Sequence, residues 1–92
     1  MIFVLIGTWK GESFPEYVRR AERTLTEHAA GYEGVTILDR YYAIGERMFF
    51  SIAEAESGDA LMRVVRPYLD LVDIKAVPVL RGHDALDVWL EK

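Results

Sequence analysis

The sequence predicts an α+β fold in which two helices cover one face of a four-stranded antiparallel sheet. Strand-like and helix-like segments follow one another in the order β-α-β-β-α-β, and a further short helix ends the chain. With right-handed crossovers, this order closes as a sheet of strand order 4-1-3-2 with both long helices on one face. Because the 92 residues contain no linker or internal repeat, residues 1–92 are predicted to form a single domain.

The first strand and the first helix are predicted within residues 2–31. The strand Ile2–Trp9 is apolar on both faces, which is typical of a central strand covered on each side. Ser13 and Glu16 flank Pro15 at a helix start, where the serine hydroxyl can accept from first-turn amides and the glutamate can reach back to the cap. Gly31 is predicted to end the helix. The apolar positions of this helix recur every three or four residues, at Phe14, Tyr17, Val18, Ala21, Leu25 and Ala29.

Residues 35–55 are predicted to form a β-hairpin that turns at Gly45 and Glu46. Both arms are dense in β-branched and aromatic residues, and a two-residue loop with glycine first suits a type II′ turn. The register set by that turn places one set of side chains on one face: Val35, Ile37, Asp39, Tyr41, Met48, Phe50, Ile52 and Glu54. The opposite face takes the other set: Thr36, Leu38, Arg40, Tyr42, Ile44, Phe49, Ser51 and Ala53.

The remainder of the chain is predicted to contain a split helix, an edge strand and a short last helix. Residues 56–59, Glu-Ser-Gly-Asp, end the hairpin and cap the second helix. Pro67 bends or splits this helix, because proline cannot donate to the carbonyl four residues back. Residues 72–80 form the fourth strand, and Pro78 places it at a sheet edge. The last helix covers residues 84–92, with Leu86, Trp89 and Leu90 on one side.

Composition disfavours several classes of function. The net charge of −4 gives no field that would attract a phosphate backbone, so nucleic acid is not an expected partner. The chain has no cysteine, and its two scattered histidines make no metal-binding pattern. The apolar start, residues 1–6, is too short for a signal core or a membrane span. We therefore expect a cytoplasmic protein that uses no metal or cofactor and contacts no membrane.

One face of the predicted sheet has no helices over it, and that face still carries large apolar side chains. Such a patch would exceed the roughly 300–600 Å² of the largest apolar patch on a typical monomer. A second copy, packed sheet to sheet across a two-fold axis, would cover it, with the last helix reaching over to the neighbour. The sequence therefore predicts a homodimer.

Four short signatures occur in order along the chain. They are Thr8-Trp9, the segment from Gly34-Val35 to Ile44-Gly45, the strand from Phe50 to Glu54-Ala55, and Asp70-Leu71 leading to Pro78-Val79-Leu80. Together they resemble a family of short prokaryotic proteins, described only as a domain of unknown function, within the dimeric α+β barrel superfamily. The resemblance spans residues 8–80 and implies a ferredoxin-like fold and a homodimer. The chain departs from that family's pattern at Tyr41 and Tyr42, where tryptophan and histidine are usual, and at the hairpin tip.

Glu54 is the candidate for proton transfer. It shares a strand and a face with Ile52 and Phe50, so we expect it to be partly buried, and a carboxyl group in apolar surroundings can act as a general acid or base. The structural alternative is a carboxylate that pairs with an arginine or reaches water at the strand end.

Five further residues are candidates for binding a small ligand: Trp9, Arg40, Tyr41, Tyr42 and Phe49. An arginine beside a phenol and a ring can hold an anionic aromatic ligand through its planar fork. The alternative for Arg40 and Tyr42 is a polar cluster at the dimer seam, since both residue types are enriched at interfaces.

The sequence leaves three functions open. The first is a homodimer that binds a small apolar or aromatic ligand between sheet and helices. The second, by analogy with related barrels, is a cofactor-independent monooxygenase or isomerase that uses Glu54. The third is a purely structural or regulatory dimer without a pocket.

Overall fold

The four strands form one antiparallel sheet in the order β2-β3-β1-β4, the predicted order read from its other edge. The computed structural model describes residues 1–27 and 32–91. Its elements, in chain order, are β1 (Ile2–Trp9), α1 (Phe14–Glu27), β2 (Val35–Tyr42), β3 (Met48–Ala55), α2 (Gly58–Val65), a 3₁₀ helix (Arg66–Tyr68), β4 (Val72–Val79) and α3 (Gly82–Leu90). The predicted α+β fold of the ferredoxin-like type is therefore compatible with the structure.

The core lies between the sheet and its two long helices, in two clusters. In one cluster, Leu5 and Ala53 of the sheet pack against Leu61 of α2. In the other, Trp9 and Phe49 of the sheet pack against Tyr17 of α1. The opposite side of the sheet, here called the helix-free face, presents half-buried apolar side chains, among them Ile2, Val4, Ile6, Phe50, Ile52, Val77 and Val79.

A β-bulge in β2 changes which side chains face the helices. Ile37 pairs with Ala53 and Asp39 pairs with Ile52, so Leu38 has no partner in the ladder. Before the bulge, Val35 and Ile37 therefore face the helices, whereas Asp39 after it lies on the helix-free face. The prediction that these three residues share a face is wrong, because it assumed an uninterrupted alternation of side chains.

The hairpin connection is longer than the predicted two-residue turn. β2 ends at Tyr42 and β3 begins at Met48, which leaves residues 43–47 between the strands. Gly45 has a φ of 83°, a backbone region that glycine adopts without strain. The predicted pairs beyond the bulge, such as Tyr42 opposite Phe49, are confirmed.

The helix ends agree with the sequence at α2 but not at α1. The Ser57 hydroxyl accepts from the amide of Ala60 at 3.1 Å, as predicted for a cap. The Ser13 hydroxyl instead donates to the carbonyl of Leu71 at 2.7 Å, so it fastens the start of α1 to the start of β4. The predicted helix end at Gly31 lies outside the described residues.

The two prolines in the second half have the predicted effects. Pro67 lies in the 3₁₀ helix that follows α2, so the second helix is split there. Pro78 lies in β4, an edge strand of the sheet. The last helix, α3, begins at Gly82, two residues earlier than predicted, and none of its residues is buried. In the described part of the chain, no helix is both long enough and apolar enough to cross a membrane.

Gly7 is required at the point where β1 pairs with Phe49 of β3. A Cβ atom at this position would overlap the Phe49 ring, which is itself held between Trp9 and Tyr17. Gly7→Ala should therefore lower the free energy of unfolding by about 1–3 kcal/mol, the usual cost of overpacking a core. Gly58→Ala is the matched control, since its Cβ would meet open space. Urea unfolding measures both, and equal midpoints would contradict this packing.

Candidate functional site

A cavity of about 280 Å³ lies between the sheet and the helices. The sheet side of the cavity is lined by side chains from all four strands. The opposite side is lined by side chains from α1, α2 and the 3₁₀ helix. Its apolar lining includes Leu5, Ile37, Phe49, Val64, Val65 and Ile74. The cavity therefore occupies the layer in which the first sequence hypothesis placed a ligand.

Two polar side chains of the sheet meet in this cavity. Ser51 is 1% exposed, and its hydroxyl accepts a hydrogen bond from Nε of Arg40 at 3.2 Å. Arg40 pairs with Ser51 in the ladder, and the bulge in β2 brings Ile37, three residues earlier, to the same face. The predicted association of Arg40 with Ser51 on one face is confirmed.

Three tyrosines add hydroxyl groups to the lining: Tyr17, Tyr32 and Tyr68. Burial raises the pKa of Tyr17 to about 12, although the nearby positive charge of Arg40 acts in the opposite direction. Burial likewise raises the pKa of Tyr32 to about 12, with a further contribution from Tyr68. Both phenols therefore stay protonated well above neutral pH.

An aromatic cluster centred on Trp9 supports one end of the cavity. The Trp9 ring stacks on Tyr42, with centroids 5.9 Å apart and planes 9° apart, and it meets Tyr17 edge to face at 5.6 Å. Phe49 lies against Trp9 at 5.3 Å and also lines the cavity. The indole N–H of Trp9 is buried without a hydrogen-bond partner among the described residues.

The comparisons with known proteins identify the family. A scan against family models matches residues 1–92 to the domain of unknown function DUF3303. The chain belongs to the DUF3303 family. A search of the curated proteins gave no match to this DUF3303 protein. The predicted membership of a family of unknown function is therefore confirmed, and the arguments about activity rest on the cavity.

The structure of the DUF3303 protein brings together most of the predicted ligand-binding residues. Arg40 and Phe49 line the cavity, and Trp9 and Tyr42 lie on the same side of the sheet, next to it. Tyr41 does not join them. It lies on the helix-free face opposite Phe50, and its hydroxyl donates to Asp39, because side chains alternate along the strand.

Glu54 lies outside the cavity. It is on the helix-free face, paired with Ile2 of β1 and Thr36 of β2, and its side chain is exposed. In the single chain the expectation that it is partly buried is wrong, because it lies on the face of the sheet opposite the core. The proton-transfer role predicted for it has no support from the residues around the cavity.

Sequence reasoning missed the three cavity tyrosines as site residues. The sequence pattern places Tyr17 only on the apolar stripe of its helix. A signal was nevertheless present, because a tyrosine in a core position brings a hydroxyl group that needs a polar partner. No group of three or more metal-ligating side chains occurs within residues 1–27 and 32–91.

The raised pKa values predict how stability depends on alkaline pH. The unfolded chain loses the Tyr17 and Tyr32 protons near the ordinary value of 10.0, whereas the folded chain keeps them up to about 12. The free energy of unfolding should therefore be unaffected by these groups below about pH 10 and fall as the pH rises towards 12. Tyr17→Phe should weaken this fall.

Urea unfolding at a series of pH values, with tyrosinate absorbance followed in the folded protein, measures this effect. Tyr17 and Tyr32 should stay protonated until well above pH 10. Ionisation of all five tyrosines in one step near pH 10 would contradict the assignment.

Proposed function

We propose that the protein is a homodimer that binds a small, mainly apolar or aromatic molecule in the cavity between sheet and helices. The observation that carries the proposal is the cavity itself. Its volume of about 280 Å³ is close to the lower end of the roughly 300–1,000 Å³ of ligand sites. Its lining, largely apolar with a few convergent polar groups, also has the composition of a ligand site.

The cavity opens to solvent, so without a ligand its largely apolar lining lies against water. A ligand that fills the space would recover dispersion contacts and add stability by binding only the folded state. We therefore favour an occupied cavity over a purely structural dimer.

The shape of the single chain supports the dimer. Its accessible surface is 6770 Å², compared with about 5,400 Å² for a folded monomer of 10.5 kDa. Its radius of gyration is 14.8 Å, compared with about 12 Å for a compact chain of this length. The excess of about 1,300 Å² exceeds the roughly 800 Å² that each partner contributes to an interface of standard size.

Two apolar surfaces of the single chain suit a second copy. The helix-free face has Val4 and Ile52 at its centre, on neighbouring strands. The helix α3 exposes Leu86 by 60%, Trp89 by 85% and Leu90 by 70%. Two sheets packed face to face across a two-fold axis would form a dimeric α+β barrel, and each α3 would cover part of the partner.

Filling the cavity tests the ligand site. We choose 2-naphthamide and 2-naphthoate as probes, since each combines an aromatic body with one polar group. At least one probe should bind saturably, and Ala21→Phe should weaken that binding roughly tenfold because Ala21 lines the cavity. Ala76→Phe is the control, since Ala76 is exposed on β4 and does not line it. Titration calorimetry that detects neither probe would favour the purely structural dimer.

Sedimentation equilibrium tests the dimer. The wild-type protein should have about twice the chain mass of 10.5 kDa. Ile52→Asp places a charge at the centre of the helix-free face and should give a single-chain mass, because an unpaired buried charge opposes association. Met62→Asp, on the 53% exposed side chain of α2, should remain dimeric. A wild-type protein with a single-chain mass would contradict the proposal.

Trp89→Asp provides a second test of the interface, remote from the sheet. Because Trp89 is 85% exposed in the single chain, its replacement should leave the protomer folded, as judged by circular dichroism. It should nevertheless weaken the dimer. An unchanged dimer would remove α3 from the interface.

A further inference from the structure

We infer that the ligand of this cavity carries one negative charge, and that Arg40 binds the charged group while the apolar lining holds a compact hydrophobic body. The expected class is a small aromatic or alicyclic carboxylic acid in its ionised form. This inference rests on the proposed function, since it specifies which molecule the cavity takes.

The charge of the cavity is the first argument. Among the described residues that line it, Arg40 is the only one with a formal charge, and the others are apolar, hydroxylic or aromatic. None of the ion pairs in the described part of the chain involves Arg40. The cavity therefore has a positive charge that no described carboxylate balances.

Three other arginines of the chain have an acidic partner. Arg19 pairs with Glu16 at 2.7 Å, and Arg20 pairs with Asp70 at 2.7 Å. Arg47, although 64% exposed, lies 3.5 Å from Glu12. Arg40 is itself exposed in the single chain, but it lines a largely apolar cavity in which no acidic residue among those described takes part, an arrangement that suits an anion supplied from outside.

The geometry of Arg40 is the second argument. Its Nε is held by the buried Ser51 hydroxyl at 3.2 Å, which restricts the guanidinium plane. The two terminal nitrogens make no hydrogen bond to a described residue, so they present two parallel donors. This fork matches the two oxygens of a carboxylate, whereas a lysine ammonium would act only as a point charge.

The surroundings restrict the anion to one charge. The phenols of Tyr17 and Tyr32 line the cavity, but they carry no positive charge of their own. The net charge of −4 of the whole chain opposes the entry of polyanions such as nucleotides. An anion with one charge and an apolar body satisfies both the guanidinium and the lining.

The test compares two probes of the same ring system, 2-naphthoate and the neutral 2-naphthamide. Titration calorimetry at neutral pH should show that wild-type protein binds the carboxylate tighter by about tenfold or more, the effect of one charge-assisted hydrogen-bonded pair. Arg40→Gln should abolish this preference, so that the two probes bind with about equal affinity, and should weaken the binding of 2-naphthamide much less than that of 2-naphthoate. Arg63→Gln removes the same charge from an exposed site on α2 outside the cavity and should keep the preference.

The amide also shows whether the Arg40 variant keeps an intact cavity. If the wild-type protein binds the two probes equally, or if Arg40→Gln keeps the preference for the carboxylate, the inference is wrong and the proposed ligand site stands. If neither probe binds, the proposed function fails and the inference fails with it. Loss of 2-naphthamide binding in Arg40→Gln would assign Arg40 a structural role and also overturn the inference.

Discussion

The β-bulge at Leu38 is the constraint on which the cavity depends. Side chains alternate along a strand, so without the bulge Ile37 and Arg40 would lie on opposite faces of the sheet. The extra residue places both of them towards the helices, where Ile37 joins the core and Arg40 reaches Ser51. The same displacement puts Asp39 and Tyr41 on the helix-free face, where their mutual hydrogen bond is exposed to water. The alternation of side chains after the bulge keeps Asp39 on the opposite face of the sheet from Arg40.

The cavity also depends on aromatic side chains that cannot collapse into it. Four aromatic rings pack against one another through edge-to-face, tilted and stacked contacts: those of Trp9, Tyr17, Tyr42 and Phe49. Large flat rings with few rotatable bonds keep their positions better than aliphatic side chains, which repack around a void. The close approach of β1 and β3 at Gly7 fixes the Phe49 ring at the cavity edge. The cavity is therefore part of the folded state and not a gap left by loose packing.

Stability, association and ligand binding are linked in a domain of this size. A chain of 92 residues buries only about 60–70% of the surface that it exposes when unfolded. In this chain the helix-free face and α3 leave additional apolar surface exposed. The side chains that line the cavity also lack packing partners on the cavity side. A second copy and a bound molecule would both add apolar contacts that the single chain lacks, so each would raise the free energy of unfolding.

The sequence by itself determined the element order, the strand order, the helix cap at Ser57 and the effects of Pro67 and Pro78. These features follow from local rules of periodicity, capping and backbone geometry, which act over a few residues. It also placed Arg40, Tyr42, Phe49 and Ser51 on one face, because that part of the hairpin has a regular register. Only the tertiary structure decided that this face is the covered one, that a bulge interrupts β2, and that Tyr17, Tyr32 and Tyr68 meet over Ser51. Those features depend on contacts between segments far apart in the chain, and no local pattern of residues encodes the space that such contacts leave open.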